Sequence, residues 1–178
     1  MSALWRRDAP RADACAREAP MLSPMTTAQL DAVLAIEAAA YAFPWSRGNF
    51  VDSLVAAHPA RVLHDARGQI LGYFVAMAGV DEMHLLNITV APAVQGRGHA
   101  HLLIDALIGL CRKQDARELW LEVRASNGRA RAMDQRLGFV QLGVRNGYYP
   151  ASFGRREDAV VMSLKIAPAP AETNHASD

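Results

Sequence analysis

Cysteine is nearly absent from this chain. Only Cys15 and Cys111 occur, far apart and in no C-x-x-C pair. That excludes a disulfide framework and a cysteine zinc site, and it fits a reducing, cytoplasmic location. An excess of either charge is also lacking: 19 basic residues against 18 acidic ones leave a net charge of +1. Such a balance argues against nucleic-acid binding through a broad basic face. Long apolar runs are missing as well. The longest, Ile70 to Val80, falls well short of the ~20 residues of a membrane span, so no membrane partner is expected. What remains is a globular composition, 51% hydrophobic and 21% charged, which excludes collagen-like and wholly disordered chains.

At roughly 100–200 residues per domain, the 178 residues point to one domain. Residues 1–24 are rich in Ala, Arg and Pro, with no regular apolar period. They lack an apolar h-region and carry acidic residues, so neither a secretory signal nor a transit peptide fits. They read as a disordered N-terminal extension, with Met21 and Met25 as alternative starts. Residues 167–178, another Ala-Pro-rich stretch, read as a disordered tail. The folded domain is expected over residues 25–166, without internal repeats.

Within it, Thr26 and Thr27 can cap a helix to about Ala40, whose stripe is Leu30, Val33, Leu34 and Ile36. Phe43-Pro44-Trp45 breaks it, and Ser46 caps a second helix to about Ala57. Arg61–Asp65 and Ile70–Val80 read as a hairpin, and Met83–Val90 as a further strand. A long helix is expected from about Gly98 to Gln114, then a strand over Glu118–Arg124. A helix over Asn127–Leu137 is closed by Gly138. Strands from Phe139 to about Tyr149 and over Ala159–Lys165 end the domain. The order α-α-β-β-β-α-β-α-β-β is a mixed α/β layout.

The junction Thr89-Val90-Ala91-Pro92-Ala93-Val94-Gln95-Gly96-Arg97-Gly98-His99-Ala100 runs a strand through a Gly-rich turn into a helix. Unpaired N–H groups and the helix dipole make such a start a phosphate-binding candidate. Small residues let a phosphate approach, and Arg97 adds charge. The turn lacks the Gly-Lys-Ser/Thr ending of a Walker loop and the third glycine of G-x-G-x-x-G. A flexible helix start explains it equally well.

Gln-x-x-Gly-x-Ala after a strand resembles the pyrophosphate motif of GNAT acetyltransferases. Ala42-Phe43-Pro44-Trp45-Ser46, Leu119-Trp120-Leu121-Glu122-Val123-Arg124-Ala125-Ser126-Asn127, Leu137-Gly138-Phe139 and Tyr148-Tyr149-Pro150 resemble the RimI family within them. The resemblance covers the whole domain and is most specific over Leu119–Asn127. It implies a GNAT fold, with a mixed central sheet, a splayed strand pair and flanking helices. It implies acetyl-CoA as cosubstrate, no metal, and direct transfer in a ternary complex. The acceptor it implies is the N-terminal amine of a ribosomal protein, an alanine on the eighteenth protein of the small subunit. Direct contact with nucleic acid is not expected, and the chain is expected to be a monomer or weak dimer. Two other readings stay open: a GNAT enzyme acting on a lysine or small amine, and a non-catalytic acyl-CoA-binding module.

Acyl transfer to an α-amine needs the neutral amine, about a tenth of the total at pH 7 for a pKa of ~8. It also needs an oxyanion donor and a route for the leaving thiolate. Period two puts Glu118, Trp120, Glu122 and Arg124 on one strand face and Leu119, Leu121 and Val123 on the other. That polar face is by itself an ordinary solvated one. The resemblance assigns Glu122 as general base. It implies that Ile88, Thr89 and Val90 meet acetyl-CoA along the strand, with Ile88 and Val90 acting through main chain. Leu86, Ile88 and Val90 are read as sharing a core face. Gln95, Gly96, Arg97, Gly98, His99, Ala100 and His101 are expected at the pyrophosphate. Asn127 matches a cofactor contact and is also a normal helix cap.

One position departs from the family. Where it places a general-acid tyrosine, this chain has Asp134. Three accounts stand: Asp134 is protonated in a desolvated site, Tyr148 or Tyr149 substitutes, or the thiolate leaves without an acid. His99 and His101 lie about 200° apart on their helix, and Glu82 with His84 makes only two ligands, so no metal site is expected. Cys111 reads as core packing, and Tyr41, Phe43, Pro44 and Trp45 as either a substrate-side loop or a hydrophobic plug.

Overall fold

The computed structural model describes residues 19–168. The expectations for residues 1–18 and 169–178 lie outside the described residues, as does Cys15. Seven strands form one sheet: β1 (Met21–Pro24), β2 (Ala60–His64), β3 (Ile70–Ala78), β4 (Glu82–Val90), β5 (Glu118–Arg124), β6 (Val140–Pro150) and β7 (Arg156–Lys165). Four helices flank it: α1 (Leu30–Ala40), α2 (Arg47–Val55), α3 (His99–Lys113) and α4 (Gly128–Arg136). The sheet order is β1-β2-β3-β4-β5-β7-β6. Among the described residues only β4 and β5 pair in parallel, which is why α3 must cross between them.

Two features correct the reading of the sequence. β1 lies inside residues 1–24, which were expected to be an extension. Its partner is β2, Met21 opposite His64 and Pro24 opposite Arg61, so its pairing is invisible to local pattern. β7 also begins at Arg156 rather than Ala159, because Tyr149 and Pro150 pair with Glu157 and Arg156.

Packing follows the strand alternation. On one face Leu103, Ile104, Leu107 and Cys111 of α3 pack with Phe74, Leu121, Val160 and Met162. On the other, Leu30 and Val33 of α1 and Phe50 of α2 pack with Val62, Tyr73 and Val75. Each fully buried aliphatic or aromatic side chain contributes about 1.5–3 kcal/mol.

The alternation breaks once within β4, with a consequence for the site. Val75 pairs with Asn87 but Ala76 pairs with Leu85, which leaves Leu86 as an extra residue. A bulge of one residue reverses which face later side chains take. Met83 and Leu85 therefore join the α3 core, and so do Ile88 and Val90. Asn87 and Thr89 are turned to the α1 side, where both are buried. Leu86 does not share the core face expected of it; it is exposed at the bulge.

Candidate functional site

β4 and β5 pair only over Glu82–Leu85 and Glu118–Leu121. Past the bulge they diverge, and a cavity of about 340 Å³ opens between them. Leu86, Asn87 and Ile88 line one wall, and Glu122, Val123 and Arg124 the other. Tyr41, Phe43 and Trp45 close one side; Asn127, Met133 and Asp134 close the opposite one.

The β4 wall presents main chain that β3 does not pair. The Ile88 carbonyl accepts from the Tyr41 hydroxyl at 3.1 Å, and the Val90 carbonyl accepts from Gln95 Nε2 at 3.1 Å. In a strand the N–H and C=O of one residue point the same way. The N–H groups of Ile88 and Val90 therefore also point away from β3, toward the cleft. Thr89 differs from the expectation. Its side chain sits on the α1 side against Glu37, Asn87 and Tyr41, so the structure does not bring it into the cleft.

Below this wall the chain enters α3. Gly96 and Gly98 have φ of 78° and 86°, a region side chains disfavour and glycine adopts freely. Gly98 is the N-cap and offers no side chain. The amides of Gly96, Arg97, Gly98, His99 and Ala100 donate to no backbone acceptor among the described residues, whereas His101 N–H already donates to Gly98 O at 3.0 Å. Of the expected amides, that of His101 is thus not available, nor is that of Gln95, which donates to Pro92 O at 3.4 Å. An exposed row of N–H groups at the start of a 15-residue helix suits an anion. Arg129 of α4 reaches this turn: its Nη2 lies 3.9 Å from where a Cβ on Gly96 would sit.

On the β5 wall, period two holds: Leu119, Leu121 and Val123 are buried and Glu122 and Arg124 are half-buried. Glu122 pairs with Arg145 at 3.0 Å. Arg124 donates to Pro150 O at 2.9 Å and pairs with Glu157 at 3.1 Å. Its guanidinium also lies over the rings of Tyr149 and Phe43, 4.5 and 5.7 Å from their centroids. Trp120 stacks on His84.

The two tyrosines separate. Tyr149 lines the cavity and donates to the Glu122 carbonyl at 3.0 Å. Burial, reinforced by the Glu122 charge, pushes its phenol up to about 12. Tyr148 does not line the cavity; it is 41% exposed. Its phenol is raised first by its hydrogen bond to Glu122. Asp134 is buried at 5% exposure and lines the cavity. Burial raises its carboxyl to about 6. Asn127 caps α4, its Oδ1 accepting from Ala130 N at 3.1 Å, and lines the cavity as well.

Glu37 was not singled out by sequence reasoning. It is 1% exposed and lines the cavity from α1. It accepts from Trp45 N at 2.9 Å, from the Tyr73 hydroxyl, and from Asn87 Nδ2 at 3.2 Å. Glutamate inside an Ala-rich helix carries no local signal, because its donors come from 8, 36 and 50 residues away. Among the described residues no three potential metal ligands cluster, and no helix is long and apolar enough to cross a membrane.

The acetyltransferase (GNAT) family model matches residues 30–139. The chain is 37% identical over 146 residues to the [ribosomal protein bS18]-alanine N-acetyltransferase of Escherichia coli K12, covering 82% of this chain and 97% of that protein. It is 33% identical to the enzyme of the same name from Haemophilus ducreyi, covering 82% and 100%. The crystal structure of the ribosomal-protein-S18-alanine N-acetyltransferase from E. coli superposes with a TM-score of 0.78 at 36% identity, covering 86% of this chain and 98% of that one.

Proposed function

The chain belongs to the GNAT acetyltransferase family, and on that premise we propose that it moves the acetyl group of acetyl-CoA to the N-terminal alanine of ribosomal protein bS18. The observation that carries this reading is the divergence of β4 from β5. It sets the outward N–H groups of Ile88 and Val90 opposite Glu122, above the open amides of residues 96–100.

The residues fit acetyl-CoA. The amides of Gly96, Arg97, Gly98, His99 and Ala100 would hold its pyrophosphate, with Arg97 and Arg129 supplying charge. Asn127 lies where α4 meets the cleft. The cosubstrate supplies an activated thioester carbonyl. The β4 amides offer donors for the charge that develops on its oxygen. Glu122 takes a proton from the acceptor ammonium, directly or through water, so that the neutral amine attacks. Tyr41, Phe43 and Trp45 shape the acceptor side.

The leaving thiolate needs no acid from Asp134. With a carboxyl near 6, Asp134 is mostly ionised at neutral pH, and a thiol of pKa ~8.5 is a tolerable leaving group. Tyr149 is engaged with the Glu122 carbonyl and stands as the reserve donor.

The ordered unit proposed is residues 21–166, in the cytoplasm. The test is intact-mass measurement of an Ala-starting bS18 peptide with acetyl-CoA, beside its N-terminally blocked twin. One acetyl group on the free peptide alone supports the reading. Transfer to the blocked twin would place the acceptor on a lysine, and no transfer with tight acetyl-CoA binding would indicate a binding module.

A further inference from the structure

The charged groups that face the cavity do not balance. Glu122 is matched by Arg145 and Arg124 by Glu157. Asp134 sits on the α4 side, beside Met133 and Asn127. Glu37 sits on the α1 side with Tyr41, Phe43 and Trp45, and among the described residues it pairs with no cation. Its contacts are neutral: one backbone N–H, one phenol and one amide, with the Thr89 hydroxyl at 3.4 Å shared among three acceptors. Each of these groups can donate a hydrogen bond to the carboxylate, and none carries a charge that would offset it. A buried anion held by dipoles alone keeps its field, because the surrounding protein screens it far less than water does.

We propose that Glu37 is a specificity-determining residue whose unpaired negative charge draws the acceptor's α-ammonium into the cavity. This rests on the reading of the cleft as an amine-acetylating site. It assigns separate tasks to two carboxylates: Glu37 favours the arriving cation, and Glu122 removes its proton. The fixed hydrogen bonds of Glu37 suit the first task, since Trp45, Tyr73 and Asn87 hold it in place whether or not a cation is present.

The test separates charge from scaffolding. An Ala-starting peptide and its analogue with an α-hydroxyl in place of the α-amine are titrated against the full chain, with CoA present. The parent chain is expected to bind the amine at least about tenfold more tightly than the alcohol, as expected for a single charge at moderate effective dielectric. Glu37→Gln should remove most of that preference, weakening the amine about tenfold and the alcohol no more than about twofold. Glu122→Gln, whose charge Arg145 already matches, should keep most of the preference, which leaves the proposal testable if Glu37→Gln does not fold. Equal losses for both peptides, an unchanged preference in Glu37→Gln, a preference abolished by Glu122→Gln, or no binding of either peptide overturns it. Acetylation of a lysine peptide that still depends on Glu37 in this manner overturns only the choice of acceptor.

Discussion

The Glu122 carboxylate and the Arg145 guanidinium meet at 3.0 Å across the face of β7, the strand that lies between theirs. Arg145 is 58% exposed and Glu122 24%, so the pair orients the carboxylate more than it stabilises the fold. Glu122→Gln is expected to lower kcat by roughly 10²–10⁴ while leaving acetyl-CoA affinity unchanged. Arg145→Met should lower kcat less, because the carboxylate itself survives. Steady-state rates with a calorimetric acetyl-CoA titration check both; full activity in Glu122→Gln across pH would remove it as the base.

Asp134 gives a prediction about stability. Burial raises its carboxyl from 3.8 to about 6, so between those values the folded chain holds a proton that the unfolded chain has lost. The folded state therefore loses stability as pH rises through that window, and above about 6 the ionised group is a standing cost. Asp134→Asn is expected to melt higher than the parent, with a difference that grows from pH 4 to pH 7 and then levels. Thermal unfolding without ligand at several pH values measures it. A difference independent of pH would mean that the carboxyl is solvated.

The same position bears on turnover. An ionised carboxylate beside a departing thiolate opposes its formation. Asp134→Asn and Asp134→Tyr are both expected to raise kcat at pH 8, by a few-fold on the order of one lost unfavourable charge. A further gain in the tyrosine variant over the asparagine one would show that a proton donor helps. A tenfold loss in Asp134→Asn would instead make Asp134 the donor.

Much of this arrangement was legible in the sequence. The period of two over Glu118–Arg124 gives the strand face that Glu122 takes, because nothing interrupts that strand. Ser46 and Asn127 cap their helices as read, since a cap is a contact within three residues. The β4 face was misread for the opposite reason. The residues on either side of Leu86 alternate normally, and only pairing with β3 reveals the extra one. β1 and Glu37 share that cause: each depends on partners tens of residues away. Arg129 belongs with them, because its place at Gly96 follows from how α4 packs beside the α3 turn.

Arg129 and Gly96 make the cosubstrate side testable. Gly96→Ala forces a side chain onto a φ of 78°, at a cost of about 1–2 kcal/mol, and crowds the amide row. It is expected to raise the KM for acetyl-CoA with little change in kcat. Arg129→Ala should raise the same KM several-fold at low salt and less at high salt, as a charge-assisted phosphate contact requires. A KM for acetyl-CoA that ignores both changes would place the pyrophosphate elsewhere.

Gly72 tests whether the β3–β4 contact sets the reactive wall. A Cβ there would lie 2.6 Å from the Thr89 carbonyl and 3.2 Å from Leu103 Cδ1. The first contact is backbone, so β4 must shift, and it must shift where Ile88 and Val90 turn their amides to the cleft. Gly72→Ala is expected to cost about 1–3 kcal/mol of stability, as overpacking does. It should also lower kcat more than a destabilised but correctly shaped chain would, because donors aimed at a developing charge lose effect with small displacements. Leu107→Ala, buried under α3 away from the cavity lining, is the comparison: about 2–5 kcal/mol lost with kcat per folded molecule unchanged. Chemical denaturation and kcat on both variants separate the cases. Equal kcat in the two would mean that the amides of β4 take no part in the reaction.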